Sequence, residues 1–555
     1  MSKDLTLSDV HIMEAGCAPV ISALCHDLGV PSTINANVQW DELQCNLAPG
    51  TLAMALIINI LQGRSPLYRV AESFKEQDTQ LLFGSGVECC HLNDDAFGSM
   101  LDKLAAAGAK KVFSAVALQI QILEEIAVDT LHIDTTARLV YGTYNGEGTL
   151  HITQGYNKEH RHDLKQFKVG LGVNKDGFPC LGEVIDGNLD DKSWNKQILE
   201  KLPALRDGLK ETIYIADAAM VTEGNLSIIQ RRNLRFISRL PATFALAAEL
   251  VDKACTEGQW EEVGALSPGT NRASYKLQGF NALLYGQNYR FVVVRSSQLD
   301  KRKLKSLEKR IKQERVELTK DIAQLSELRF ACEPDAKAAL ARFLQAKNDV
   351  LYPLSGTVTA ALEKVKRAAR GRPAKGEAPQ YQSTYRLDLQ IGELDADALD
   401  RAKERLGCFI LISNVPGFSS RALLKEYKEQ TVVEERFKFI KHPLYVGPMF
   451  LKRKDRMEAL SYVILMAMLV YIVLQRRARK ALERAVEPLA VTGGKTTFSP
   501  TGNKILELLR PAKILCVKDG RTVVKRFLPE SYHRLSRVLS LLGLGLDVYV
   551  QRRGP

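Results

Sequence analysis

Three acidic residues could carry chemistry: Asp134 and Asp217 stand where a carboxylate is costly unless its charge is answered, and Glu434 stands on a polar helix face. Asp134 lies in the β-rich run TLHIDTTARLVYG (130–142), and Asp217 ends the apolar run of ETIYIADAAM (211–220). An ionised acid on a buried strand costs several kcal/mol unless it is paired or metal-bound. Glu434 belongs to EYKEQTVVEERFKFIK (426–441), where Gln430, Glu434 and Lys441 follow Tyr427 at offsets of three, seven and fourteen. A helix repeats every ~3.6 residues, so a helix here would put all four on one face. A phenol, an amide, a carboxylate and an amine make neither a core face nor a ladder of ion pairs. Three carboxylates converging from two strands and a helix suit two divalent hard cations, with Mg²⁺ or Mn²⁺ favoured. Such a pair of ions can activate water or a 3′-hydroxyl and stabilise the leaving oxygen of a phosphodiester. The competing reading pairs each acid with a neighbouring Lys or Arg, and spacing alone does not choose between them.

The elements that must position these residues follow from the local pattern. Residues 1–125 read as mostly helical: GTLAMALIINILQG (50–63) is an apolar helix ended by Gly63, and NDDAFGSMLDKLAAAG (93–108) starts at a cap, Asn93 or Asp94, and stops at Gly108. Short helices with tight connections fit a helix-turn-helix reader of DNA and a plain bundle equally well. Residues 126–240 alternate strands and helices after a hairpin that turns at NKDG, which predicts an α/β fold with a mixed sheet. Residues 241–405 interrupt that pattern with strands, a long charged helix over 301–328 and the basic linker RAARGRPAKGEAPQYQ (367–382). Leu304, Ile311, Leu318 and Leu325 recur every seven residues on that helix, but the partner seam is half polar, so the helix is expected to pack on its own protein. The RGRP core of the linker, Arg370 to Pro373, resembles a minor-groove hook, although a solvated linker explains four residues more readily. Regular structure resumes over 406–480, and 481–555 form a basic C-terminal region.

Composition narrows the partners. With 555 residues, 45% hydrophobic and 25% charged, the chain is long enough for several domains with real cores. A formal net charge of +13 points to a polyanion, nucleic acid or an acidic membrane surface, or to a merely basic soluble protein. The ten cysteines include no CxxC pair, which fits a reducing compartment, and ECCH (88–91) has no second ligand pair at zinc spacing. The N-terminus carries no basic segment followed by an apolar run. ALSYVILMAMLVYIVLQ (459–475) is at the short limit for a bilayer span and is broken by Ser461, Tyr462 and Tyr471, so a buried core helix is expected instead. TGGKTT (492–497) lacks the leading glycine of a phosphate-binding loop, since Leu489 stands there.

The acids and their surroundings resemble bacterial insertion-sequence transposases of the DDE class, in the insertion-sequence-four superfamily. Tyr427, Glu434 and Lys441 match the Y-x2-R-x3-E-x6-K signature, with Gln430 in place of its Arg. HIDTT (132–136) and IADAAM (215–220) resemble the segments around the two catalytic Asp residues. GYNKEHRHDLKQFKVGL (155–171) resembles the conserved block between them, with Asn157 for Ser and Glu159 for Asp, and DGN (186–188) also fits. The resemblance implies an RNase H-like core, in two parts (126–240 and 406–480), split by an insertion domain (241–405) and preceded by a helical domain (1–125) that binds DNA ends. It implies that Asp134, Asp217 and Glu434 hold two Mg²⁺ ions, with Mn²⁺ as a substitute, and carry out catalysis. Tyr427, Gln430 and Lys441 are the residues expected to contact DNA, with Lys158 and Arg161 in the intervening block and Lys438 one turn beyond Glu434. The implied partners are the element's terminal inverted repeats, target DNA and a second copy of the chain on paired ends, acting in the bacterial cytoplasm beside the nucleoid. A metal-dependent nuclease on the same core would share the acids without needing Tyr427 and Lys441, and a DNA-binding relic would normally have lost an acid.

Overall fold

The structure, a computed structural model, describes residues 10–552 apart from 147, 158, 206–211, 267–271, 299–300, 348–349, 365–377, 379–380, 443–448, 450 and 530–532. The chain divides into two units, one of Met1–Arg239, Ser413–Phe418 and Lys425–Pro555, the other of Leu240–Ile412 and Ser419–Leu424. The RGRP segment lies outside the described residues.

The first unit begins with a short strand, β1 (Val10–Glu14), and helices α1 (Ala18–Asp27), α2 (Val30–Asn37), α3 (Pro49–Gln62), α4 (Val70–Ser73), α5 (Thr79–Phe83), α6 (Asp94–Ala106) and α7 (Ala109–Leu123). Their ends follow local chemistry: Pro49 opens α3, and the Asn93 side chain caps α6 by accepting from the Ala96 amide at 2.9 Å. Strands β2 (Thr130–Val140), β3 (Lys165–Val173), β4 (Pro179–Ile185), β5 (Ile213–Ala216) and β6 (Arg235–Arg239) follow, in the spatial order β4-β3-β2-β5-β6. β2 with β3 and β3 with β4 pair antiparallel, whereas β2 with β5 and β5 with β6 pair parallel. The β3–β4 hairpin turns where Asn174 Oδ1 accepts from the amides of Asp176 and Phe178 and Gly177 adopts a φ of 76°. Parallel neighbours require crossovers, and α8 (Asp191–Leu205) and α9 (Glu223–Arg231) lie in the connections before and after β5.

The second unit contains α10 (Ala245–Glu257), β7 (Glu261–Ala265), β8 (Ser274–Leu284), β9 (Gln287–Ser296), α11 (Lys301–Ser326), α12 (Glu333–Ala346), the antiparallel arms β10 (Leu354–Lys364) and β11 (Tyr381–Ile391), α13 (Ala396–Gly407) and β12 (Cys408–Ser413). Four of its strands run in the order β12-β9-β8-β7. The heptad stripe of α11 is used inside this unit: Ile311 and Leu318 pack with Leu351 and Tyr352, and Leu325 with Leu387 and Leu389.

The chain then continues through α14 (Ser420–Lys428), α15 (Thr431–Lys441), α16 (Lys454–Glu483), a minimal hairpin of β13 (Leu489–Ala490) and β14 (Thr496–Thr497), α17 (Gly502–Leu509), β15 (Lys513–Asp519), β16 (Thr522–Phe527) and α18 (His533–Leu541). Residues 426–441 are therefore two helices, not the single helix expected from their spacing. At the break, the amides of Gln430, Val432 and Val433 bond three residues back, to Tyr427, Glu429 and Gln430. The β-branched run Thr431-Val432-Val433 disfavours a continuous helix at that point. Helix α16 is buried from Ala459 to Gln475, packed by α3, α6 and α7, so the apolar run long enough to cross a bilayer is the axis of a protein core. The C-terminal segment joins that core: β15 pairs with β1, Tyr549 Oη donates to Gly16 O at 2.8 Å, and Arg526 Nε donates to the buried Asp78 at 2.6 Å. All ten cysteines are free thiols.

Candidate active site

Asp134 is placed by β2, and the pairing of β2 with β5 places Asp217 beside it. The parallel register sets Leu131 against Tyr214 and His132 against Ile215, and continuing it by two residues sets Asp134 level with Asp217. Paired strands run about 4.8 Å apart, so the two acids emerge from neighbouring backbones at one height. Both are half-buried. Asp134 accepts from the Thr135 amide at 2.8 Å, and Asp217 caps the turn that follows β5, accepting from the Ala219 amide at 3.0 Å. The Ser238 hydroxyl on β6 donates to Asp217 O at 2.8 Å, which fixes the backbone at the strand end. On the other face of β2, Thr135 donates to Asp191 at 2.6 Å.

Tyr427 ties the third acid to this pair. Its phenol is pushed up to about 12, first by burial and then by the negative fields of Asp217, Asp134 and Glu434, with Arg239 opposing them. The hydroxyl thus lies where all three acids are felt, and it remains a neutral hydrogen-bond donor at physiological pH. Glu434 sits exposed in the first turn of α15, and Gln430 is the residue that precedes that helix. Lys438 is exposed, and Lys441 pairs with Glu159 at 3.4 Å. Lys441 therefore joins the helix to the 155–171 segment, at the position where Glu159 replaces the family's Asp.

That segment is organised by buried polar groups. Gln166 is fully buried and donates to Gly187 O at 2.7 Å and to Tyr156 O at 3.2 Å, binding the segment to the DGN turn. Asp186 accepts from the His151 amide at 2.9 Å, and an added Cβ at Gly187 would meet Gln166 O at 2.0 Å. Asn157, 3% exposed, accepts from the Arg161 amide at 3.0 Å and donates to Arg161 O at 3.1 Å. Arg161 itself is exposed and bonds Asp163 through two nitrogens at 2.7 and 2.8 Å. Lys158 lies outside the described residues.

Three cations escaped the sequence reading: Arg239 facing Tyr427, Arg138, whose Nη1 reaches Ile440 O at 3.4 Å, and Arg64. Burial pulls Arg64 down to about 10, with repulsion from Arg138 adding to the effect, and burial also lowers Arg138 against the pull of Glu159. Arg138 lies on the strand of Asp134, four residues on, a same-strand spacing that was available from the sequence. Arg64 and Arg239 had no such signal.

Among the described residues, the trio whose ligand atoms all lie within 4.8 Å of one another is His132, Glu426 and Glu429. His132 is fully buried, and burial pulls its imidazole down to about 4. Burial and then the neighbouring Glu429 raise Glu426, while Lys425 and Lys175 oppose the shift. Neither glutamate nor the histidine was singled out from sequence, because nothing in their spacing connects residue 132 with 426 and 429.

Among known families, the model described as "Domain of unknown function (DUF4277)" matches residues 10–118, a domain found in transposase-like proteins. The match covers β1 and the helices up to α7, and ends before the strand that carries Asp134. No curated protein matches the chain.

Proposed function

We propose that the chain is a DDE-type transposase whose first unit contains an RNase H-like core, and that it cuts the ends of its own insertion element and joins them to target DNA. The observation that carries this reading is the parallel register of β2 with β5, which brings Asp134 level with Asp217, with the Tyr427 phenol raised by burial and by the fields of both and of Glu434. A sheet with three antiparallel strands extended by two parallel ones, and helices in its connections, supports the core assignment. The match over residues 10–118 supports a transposase-like setting.

Hard carboxylate oxygens fit Mg²⁺ or Mn²⁺, and a pair of such ions suits carboxylates drawn from two strands and a helix. Asp134, Asp217 and Glu434 would hold those ions. When bound, the ions supply Lewis acidity to the attacking water or 3′-hydroxyl and to the leaving oxygen. Tyr427 donates its hydroxyl to a phosphate oxygen next to the cut, and the half-buried Arg239 adds positive charge on the same side. Gln430 and Lys441 grip the flanking backbone, Lys441 by exchanging Glu159 for phosphate. The net charge of +13 raises the local concentration of DNA and makes binding salt-dependent. Two copies would act on paired ends, beside the nucleoid.

The test is cleavage of end-labelled duplex carrying the termini that flank the gene, with purified full-length chain in Mg²⁺ and in Mn²⁺. The expected product is a cut at the element boundary that exposes a 3′-hydroxyl. Absence of cutting in both metals, with intact binding, would overturn the catalytic reading.

A further inference from the structure

We propose that His132, Glu426 and Glu429 form a second metal site, distinct from the three acids, that takes a divalent transition ion, with Zn²⁺ the preferred occupant. An imidazole nitrogen and one oxygen from each carboxylate already lie within 4.8 Å of one another. Two neighbouring glutamates alone would be an ordinary acidic cluster. The histidine makes the difference, because it is fully buried and its Nδ1 has no hydrogen-bond partner. Its Nε2 stands 3.5 Å from the Thr130 hydroxyl, so Nδ1 is the ring nitrogen left without a hydrogen bond. An orphaned buried nitrogen is costly, and coordination would remove that cost.

The donor set selects the ion. One imidazole and two carboxylates match a three-ligand zinc site with an open fourth position, whereas Mg²⁺ and Ca²⁺ prefer oxygen alone. Bonds of ~2.0–2.1 Å at tetrahedral angles put ligand atoms about 3.3 Å apart. The ligand atoms already lie within 4.8 Å of one another, and the two half-buried glutamates are the movable arms that would close to that spacing. Lys425 and Lys175 are the cations whose fields reach Glu426, but Lys175 already pairs with Asp129 at 3.4 Å.

The consequence is mechanical. His132 lies on β2 two residues before Asp134, and Glu426 precedes Tyr427 on α14. An ion held by all three would pin the end of α14 to the strand, fixing the distance between Tyr427 and Asp134. The inference needs only the ligands and does not rest on transposition.

The experiment is a titration of the full-length chain with Zn²⁺ alone, and with Co²⁺ as a visible probe, in a D134N/D217N/E434Q background that disables the other carboxylate site. One ion per chain is expected, with Co²⁺ bands of mixed nitrogen and oxygen ligation and a raised melting temperature. Adding Glu426→Gln or Glu429→Gln, both half-buried helix-end positions that tolerate the change, should each weaken Zn²⁺ by at least the ~10-fold that losing even an outer-shell partner costs. Lack of Zn²⁺ uptake in the background variant, or a loss smaller than about tenfold in either added variant, overturns the site. Failure here leaves the cleavage assay untouched, so the two readings fall separately.

Discussion

Replacing Tyr427 by Phe removes one oxygen and leaves the half-buried ring in place, so it isolates the hydroxyl. Burial, followed by the fields of Asp217, Asp134 and Glu434, holds that group at about 12, so it stays protonated across the range in which DNA remains duplex. A neutral O–H donating to an ionised phosphate contributes about 1.5–3 kcal/mol. At ~1.4 kcal/mol per tenfold, Tyr427→Phe should weaken end binding by roughly 10- to 150-fold. Gel-shift titrations without divalent ions, from pH 7 to pH 10, measure the ratio of wild-type to variant affinity. The sign of the pH effect is fixed by the raised value. A phenol of ordinary acidity, near ~10, would lose half its donors by pH 10 and the ratio would fall, whereas one held near 12 keeps the ratio flat. A ratio near one throughout would mean that the hydroxyl does not touch DNA. A ratio that collapses between pH 9 and pH 10 would mean that burial and the three acids do not hold the phenol up, and either outcome refutes the reasoning.

Changing Asp134, Asp217 or Glu434 to Ala should abolish cleavage in Mg²⁺ and Mn²⁺ while end binding by gel shift stays within a few-fold of wild type; a variant that cuts at the wild-type rate removes its residue from the set. Gln430→Arg should tighten end binding several-fold, since a charge-assisted contact exceeds a neutral one by about 1 kcal/mol, and should steepen its salt dependence; unchanged affinity and slope would turn position 430 away from DNA. Gly187→Ala should lower stability by roughly 1–3 kcal/mol in a thermal melt, because the new Cβ meets the Gln166 carbonyl at 2.0 Å with backbone on both sides. Glu183 is opposed by burial, yet hydrogen bonds from Lys110 and Trp194 and the nearby Lys201 hold its carboxyl below the ordinary range. Its folded value is depressed, so its contribution is complete above the unfolded value near ~4.3 and is lost as pH falls below it; Glu183→Gln should flatten the acid limb of the stability–pH curve, and an unchanged limb would contradict the pairing.

What the sequence revealed depended on how local the determining physics is. The turn after β3 could be read because Asn174 and Gly177 set it within five residues, and α6 because Asn93 caps it within four. Asp134 and Asp217 stood out as acids in apolar, β-branched runs, a cost visible without any partner in view. The break between α14 and α15 was missed because helical spacing reports which residues would share a face of a continuous helix, and it is silent on whether the backbone stays continuous. Three consecutive β-branched residues at 431–433 were the available warning. The partnership of Lys441 with Glu159 and that of Arg239 with Tyr427 are tertiary, joining positions that no periodicity links.

The same distinction bears on the segment that matches a known family. Residues 1–125, which include the matched 10–118, read as a helical domain because their caps and apolar stripes are self-consistent. Yet the apolar faces of α3, α6 and α7 close on α16, and β1 closes on β15, so the segment completes its core with residues more than three hundred positions away. A stripe states that a face must be buried and leaves open what buries it. For this chain the cover is the helix that follows Glu434 and α15, whose buried residues Val433, Phe437 and Ile440 belong to the same core as α16. The helix carrying the third acid is thus held by the same apolar packing that anchors the N-terminal helices. Its position relative to β2 is set by burial on one side and by Tyr427 and Lys441 on the other.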